Sequence, residues 1–123
     1  MKKIQLRSVG IVRTNLHGTT SKIIVKPEFS QCLKGMEKYS HFVVLYWMHK
    51  VDKETDLTEA FANRTPFRPN PIGLIIVELI SREGNILLVR GLDAFDGSPV
   101  IDIKPYTGHP KDLVLDFKSP DKF

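Results

Sequence analysis

A single cysteine, Cys32, stands in a chain of 123 residues. With no second thiol the chain cannot close an internal disulfide, and a zinc ribbon is excluded with it. That scarcity fits a reducing compartment, so a cytoplasmic location is expected, with Cys32 as a small core residue. Long apolar runs are also missing. Nothing approaches the ~20 residues of a membrane helix. The opening MKKIQLRSVG carries two lysines but no apolar stretch behind them, which argues against a secretory signal. No membrane partner is expected.

Like charges never gather into a block of five, so there is no basic tail. Internal repeats and low-complexity segments are absent. So are G-x-G-x-x-G, G-x-x-x-x-G-K-[ST] and G-x-S-x-G, and Rossmann, P-loop and nucleophile-elbow sites are therefore not indicated. His41 and His49 flank the segment Phe42–Met48. If that segment is extended they stand ~26 Å apart and cannot share one metal. No metal site is indicated. His17 and His109 fall in loops.

What is present is a globular composition: 41% apolar, 26% charged, net charge +4 and pI about 9.3. The length suits one domain spanning 1–123. A mildly basic balance is compatible with nucleic acid without requiring it.

The pattern is that of β-structure. IQLRSVGIVR (4–13) alternates as a strand with a bend near Ser8–Gly10, and KIIVK (22–26) is a short strand stopped by Pro27. Phe29, Cys32, Leu33 and Met36 make one apolar stripe on a short helix. FVVLYWM (42–48) is apolar throughout and predicts a fully buried strand. The polar stretch after it, with Asp52, Glu54, Asp56 and Glu59, predicts a solvated loop. Strands are expected over 72–80, 86–92 and 100–106, with Gly84-Asn85 as a hairpin turn, and a last strand at Leu113–Phe117. Six or seven strands with little helix predict a mainly β fold, a small single-sheet antiparallel β-barrel, because a closed sheet leaves no edges.

NRTPFRPNPIGL (63–74) is the unusual segment. Pro66, Pro69 and Pro71 fix φ and bias Thr65, Arg68 and Asn70 towards extended backbone. The expectation is a stiff, polyproline-like ribbon with unpartnered carbonyls, presenting Arg64, Arg68 and Asn70 already ordered. Guanidinium groups on such a strip suit a carboxylate or a phosphate. Gly73 allows close approach of a backbone or a ligand. In a second segment, GLDAFDGSPVIDIKPY (91–106), alternation puts Asp102, Lys104 and Tyr106 on one face and Ile101 and Ile103 on the other. Such a face is either a surface ion pair or the polar wall of a site in which Asp93 or Asp102 accepts from an amine or a ribose hydroxyl.

Together these two segments resemble the TsaA family, also called the tRNA methyltransferase O family. SVGIVRT (8–14), the stretch 27–50 and EAFANRTP (59–66) extend the resemblance over roughly 8–108. It implies a small β-barrel that binds S-adenosylmethionine, forms a homodimer and methylates N6 of N6-threonylcarbamoyladenosine beside the anticodon of threonine tRNA. It implies cofactor contacts from Arg68, Pro69, Asn70, Pro71, Ile72 and Gly73, and from 96–106, including Asp102 and Lys104. Arg64, Leu92 and Asp93 join them by their chemistry: a cation for a carboxylate, an apolar surface for adenine, a carboxylate for an amine. Arg64, Lys104 and Tyr106 are the expected RNA contacts, and His41 and Asp102 the candidate bases. The resemblance stops short of the additional C-terminal domain of longer bacterial members. The rival readings are a barrel that binds the cofactor without catalysis and one that binds RNA alone.

Overall fold

The computed structural model describes residues 3–14, 18–51 and 56–109. His17, Asp52, Glu54 and the strand expected at Leu113–Phe117 lie outside them. The described chain forms six strands: β1 (Gly10–Thr14), β2 (Thr20–Val25), β3 (His41–Trp47), β4 (Ile72–Glu83), β5 (Ile86–Arg90) and β6 (Pro99–Tyr106). They close into an antiparallel barrel in the order β1-β2-β5-β4-β3-β6, with β6 returning to β1. The expected architecture is therefore the observed one. Closure pairs every strand on both sides, which removes the edges that an open sheet of this size would expose.

Alternation fills the interior. Val12, Ile23, Val25, Phe42, Val44, Val77, Leu87, Val89 and Val100 point inward and are nearly inaccessible. Their partners one residue on point out. β3 is thus not buried on both faces as its sequence predicts: Phe42 and Val44 are interior, whereas Val43 and Leu45 are half-exposed on the outside. A barrel only one sheet thick has no second layer to cover that face. Two bulges adjust the curvature. One lies where β3 passes from Leu45 opposite Asp102 to Tyr46 opposite Val100, the other in β4 between Leu79 and Ser81.

The first strand is shorter than its sequence predicts: it begins at Gly10, and Val12 enters the core. A Cβ at Gly10 would lie 2.6 Å from the Ile24 carbonyl oxygen, so the crossing there requires glycine. The expected short helix is two 3-10 segments, Pro27–Leu33 and Met36–Lys38, broken at Gly35 with φ 92°. They cover one mouth of the barrel with Leu33 and Met36. Cys32 is exposed, not a core residue, because the tighter 3-10 turn rotates it off the inward stripe. Arg82 clamps this cover: Nη1 donates to the Leu33 carbonyl at 3.0 Å and to Glu37 Oε1 at 2.6 Å, and Nε donates to the Gly84 carbonyl at 3.1 Å.

Candidate functional site

The other mouth carries the proline ribbon. β1 and β3 end there, and β2, β4 and β6 begin there. A third 3-10 segment, Ala60–Ala62, leads into the ribbon, which runs to Ile72. The ribbon is held by tight local turns rather than as an extended polyproline strip. Asn63 Oδ1 accepts from the Thr65 N–H at 2.9 Å, Thr65 Oγ1 accepts from the Phe67 N–H at 3.2 Å, and the Asn70 carbonyl accepts from the Ile72 N–H at 2.7 Å. The Pro71 carbonyl accepts from the Met48 N–H at 2.7 Å, which ties the ribbon to the end of β3.

The arginines divide. Arg68 turns back on the ribbon, its Nη1 donating to the carbonyls of Asn63 at 3.0 Å and Thr65 at 3.2 Å. The ribbon's carbonyls, expected to lack partners, are thus in part engaged: Thr65 by the ribbon's own cation, and Asn70 and Pro71 by backbone N–H groups. Arg64 is exposed and makes no ion pair or hydrogen bond with the described residues. It is the cation of this ribbon that remains open to a ligand.

Beneath the ribbon lies a cavity of about 610 Å³, lined by Tyr46 and Met48 of the β3 end, by Phe61 to Thr65, by Arg68, and by Ile72 to Leu74. Its walls are largely polar and basic, and its volume falls within the ~300–1,000 Å³ of small-molecule sites. Gly73 has a particular task here. A Cβ at that position would stand 2.4 Å from Tyr46 Cζ. The close approach foreseen at Gly73 is therefore made by the Tyr46 ring, lying flat over the backbone. Tyr46 Oη then donates to the Asp93 carbonyl at 3.1 Å. Burial, and after it the Asp93 carboxylate, pushes the Tyr46 phenol above its ordinary pKa. The phenol stays protonated and remains a donor.

The 91–98 loop borders the same mouth. Leu92 belongs to the core rather than to the cavity, and Asp93 is exposed at the rim. Arg13 and Asp96 pair at 3.5 Å, and buried Ser98 donates to the Phe95 carbonyl at 2.7 Å and meets His49 Nδ1 at 3.4 Å.

The remaining expected site residues lie elsewhere. Asp102, Lys104 and Tyr106 occupy the outer face of β6, opposite Leu45, Val43 and His41. Asp102 accepts from the Ile103 N–H at 2.9 Å and pairs with Lys104 at 3.8 Å. His41 begins β3, five residues before Tyr46, hence ~16 Å from the ribbon cavity along the strand. Within one chain, His41, Lys104 and Tyr106 do not meet the ribbon. Asp102 instead borders a second cavity of about 270 Å³ at the covered mouth, with Phe29, Leu33, Met36, Tyr39, Phe42 and Pro105. Those walls are mainly apolar, and the space is small for a charged cofactor.

A closed antiparallel barrel with a basic cavity of small-molecule size at one mouth is an architecture outside the Rossmann class. The family model for the tRNA-methyltransferase O N-terminal domain matches residues 11–110. The chain belongs to that family. Two archaeal relatives are each named "Probable S-adenosyl-L-methionine-binding protein". One, from Archaeoglobus fulgidus, is 40% identical over 87% of this chain and 35% of its own length. The other, from Methanothermobacter thermautotrophicus, is 41% identical over 85% of this chain and 90% of its own length. A mouse tRNA (adenine(37)-N6)-methyltransferase is 36% identical over 80% of this chain, which spans 23% of it. A crystal structure of TrmO superposes with a TM-score of 0.79 at 27% identity, covering 98% of this chain and 64% of that one.

Proposed function

We propose that this chain binds S-adenosylmethionine in the ribbon cavity and methylates N6 of an adenine in tRNA. The observation that carries this is the cavity itself: it has the volume, an available cation and a polar wall in a family of cofactor-binding barrels. The cofactor would be held by Arg64 at its carboxylate, Asp93 at its amine, and Ile72 and Met48 against its adenine. Bound there, it supplies an electrophilic methyl group. The protein's part is then alignment of the acceptor nitrogen, which positioning alone can accelerate greatly. Tyr46, fixed by Gly73 and the Asp93 carbonyl, gives the cavity a rigid wall.

The finer substrate, N6-threonylcarbamoyladenosine beside the anticodon of threonine tRNA, rests on the sequence resemblance, and such a reaction belongs in the cytoplasm. A homodimer is part of the same proposal. His41, Lys104 and Tyr106 can reach a ribbon cavity only from a second copy. The apolar outer face supports one, with Leu74 55% and Ile76 42% exposed beside Val43 and Leu45.

A second reading, cofactor binding without catalysis, is favoured by one fact. None of the described residues lining the ribbon cavity is a carboxylate or a histidine. Incubation with methyl-labelled cofactor and unfractionated tRNA decides between them. Label in the tRNA supports the enzyme, and cofactor binding with no label in tRNA supports the second reading. Light scattering tests the dimer, and a monomer at micromolar concentration contradicts it.

A further inference from the structure

Phenylalanine is among the residues most often buried, yet three of them ring the ribbon mouth in water. Phe61 is 88% exposed, Phe95 64% and Phe67 36%. Each stands beside a cation. Arg64 follows Phe61 by three residues and lines the same cavity. Arg68 adjoins Phe67. Lys50 Nζ lies 5.2 Å from the Phe95 ring centroid without sealing it.

The loops that carry these rings are held in place. Ser98 anchors the Phe95 carbonyl, and the Gly97 N–H donates to the Val12 carbonyl at 2.8 Å. The Asx turn at Asn63 fixes the exit from the Phe61 segment. Two links join the loops: Tyr46 holds the Asp93 carbonyl, two residues before Phe95, and Met48 of the cavity wall lies two residues before Lys50. Asp96, close to Phe95, has its charge offset by Arg13. The rim therefore offers flat apolar rings interleaved with positive charge, the combination that single-stranded nucleic acid binds: rings for base faces and cations for phosphates. A paired duplex keeps its base faces stacked and closed to such rings.

We infer that Phe61 and Phe95, with Lys50 supplying the positive charge, form a stacking platform for unpaired RNA bases at the ribbon mouth. This rests on the tRNA reading and deepens it, by stating which surface holds the loop around the target adenine. The test is anisotropy of labelled single-stranded polyadenylate over a series of salt concentrations. Phe61→Ala and Phe95→Ala are each expected to weaken binding about tenfold with an unchanged salt slope, and Phe95→Trp to preserve it. Lys50→Gln is expected to lower the slope by about one. Unfolding midpoints check that the alanine variants keep the fold, as exposed rings allow. Alanine variants that bind like the parent, or a parent with no affinity for polyadenylate, overturn the platform. Equal, ring-dependent binding of an RNA duplex overturns it too. A parent that methylates tRNA while the alanine variants bind polyadenylate normally refutes the platform alone, whereas a parent that methylates no tRNA refutes the reading beneath it.

Discussion

Replacing Gly73 by alanine should displace the wall of the ribbon cavity from inside. The new Cβ would stand 2.4 Å from Tyr46 Cζ and 2.7 Å from both Cε atoms. Carbon atoms rest at ~3.5–4.0 Å, so the ring has to withdraw by more than about 1 Å. That motion breaks the 3.1 Å bond from Tyr46 Oη to the Asp93 carbonyl. Overpacking typically costs ~1–3 kcal/mol and the lost hydrogen bond ~1 kcal/mol. The sum, about 2–4 kcal/mol, is readable as a lower urea midpoint at constant slope. Tyr46→Phe should lose only the hydrogen-bond share. Combining Gly73→Ala with Tyr46→Ala should cost less than the two changes added, since the second removes the clash created by the first. A Gly73→Ala variant as stable as the parent, or a strictly additive pair, would refute the assignment of Gly73 to the tyrosine ring.

The other expectations are simpler. Arg68→Ala should destabilise by about 1–2 kcal/mol, because two carbonyls lose a charged donor; Arg64→Ala should leave the urea midpoint unchanged and weaken cofactor binding. Arg82→Met should cost about 2 kcal/mol by releasing the 3-10 cover from the β4–β5 hairpin, with hydrogen exchange rising first around Leu33 to Lys38. Tyr46 titrates above the ordinary tyrosine value in the folded state. The folded state therefore holds that proton more tightly than the unfolded chain. The associated stability is complete below pH ~10 and is lost as pH rises through the folded pKa. Tyr46→Phe should remove that part of the alkaline decline, and an identical alkaline profile in the variant would contradict it.

Local signals carried much of the fold. The Gly84-Asn85 turn, the alternation in KIIVK and Pro71 immediately before β4 are short-range features, and each coincides with its element. The faces of β6 were legible from Asp102 onward, with Ile103 packed on the core and Asp102, Lys104 and Tyr106 outside. Ile101, expected on the face of Ile103, instead falls at the bulge where Val100 takes the interior position. What failed was decided by distant contacts. FVVLYWM reads as doubly buried because periodicity cannot distinguish a covered sheet from a barrel whose outer face is apolar. Leu92 looked free for a ligand because nothing nearby shows that the barrel interior receives it. The Tyr46 ring over Gly73 joins neighbouring strands and has no local signature. Within the ribbon, the side chains of Asn63 and Thr65 set turns that override the extended bias of the prolines. Asn63 and Thr65 two residues apart are an Asx/ST-turn pattern that the sequence does display. The exposed phenylalanines beside Arg64, Arg68 and Lys50 lie in segments without strand periodicity, where no alternation marks which side chains face water.

The central claim is that the cofactor occupies the ribbon cavity. Ala62 lines that cavity from an exposed position, so Ala62→Trp should fill the space and spare the barrel. Calorimetric titration of S-adenosylmethionine into the parent and this variant is the direct test. Binding by the parent that falls at least about tenfold in the variant, a loss of ~1.4 kcal/mol, is the expected result. Equal affinity in both would contradict the account and move the cofactor elsewhere, with the apolar cavity beside Asp102 the next place to examine.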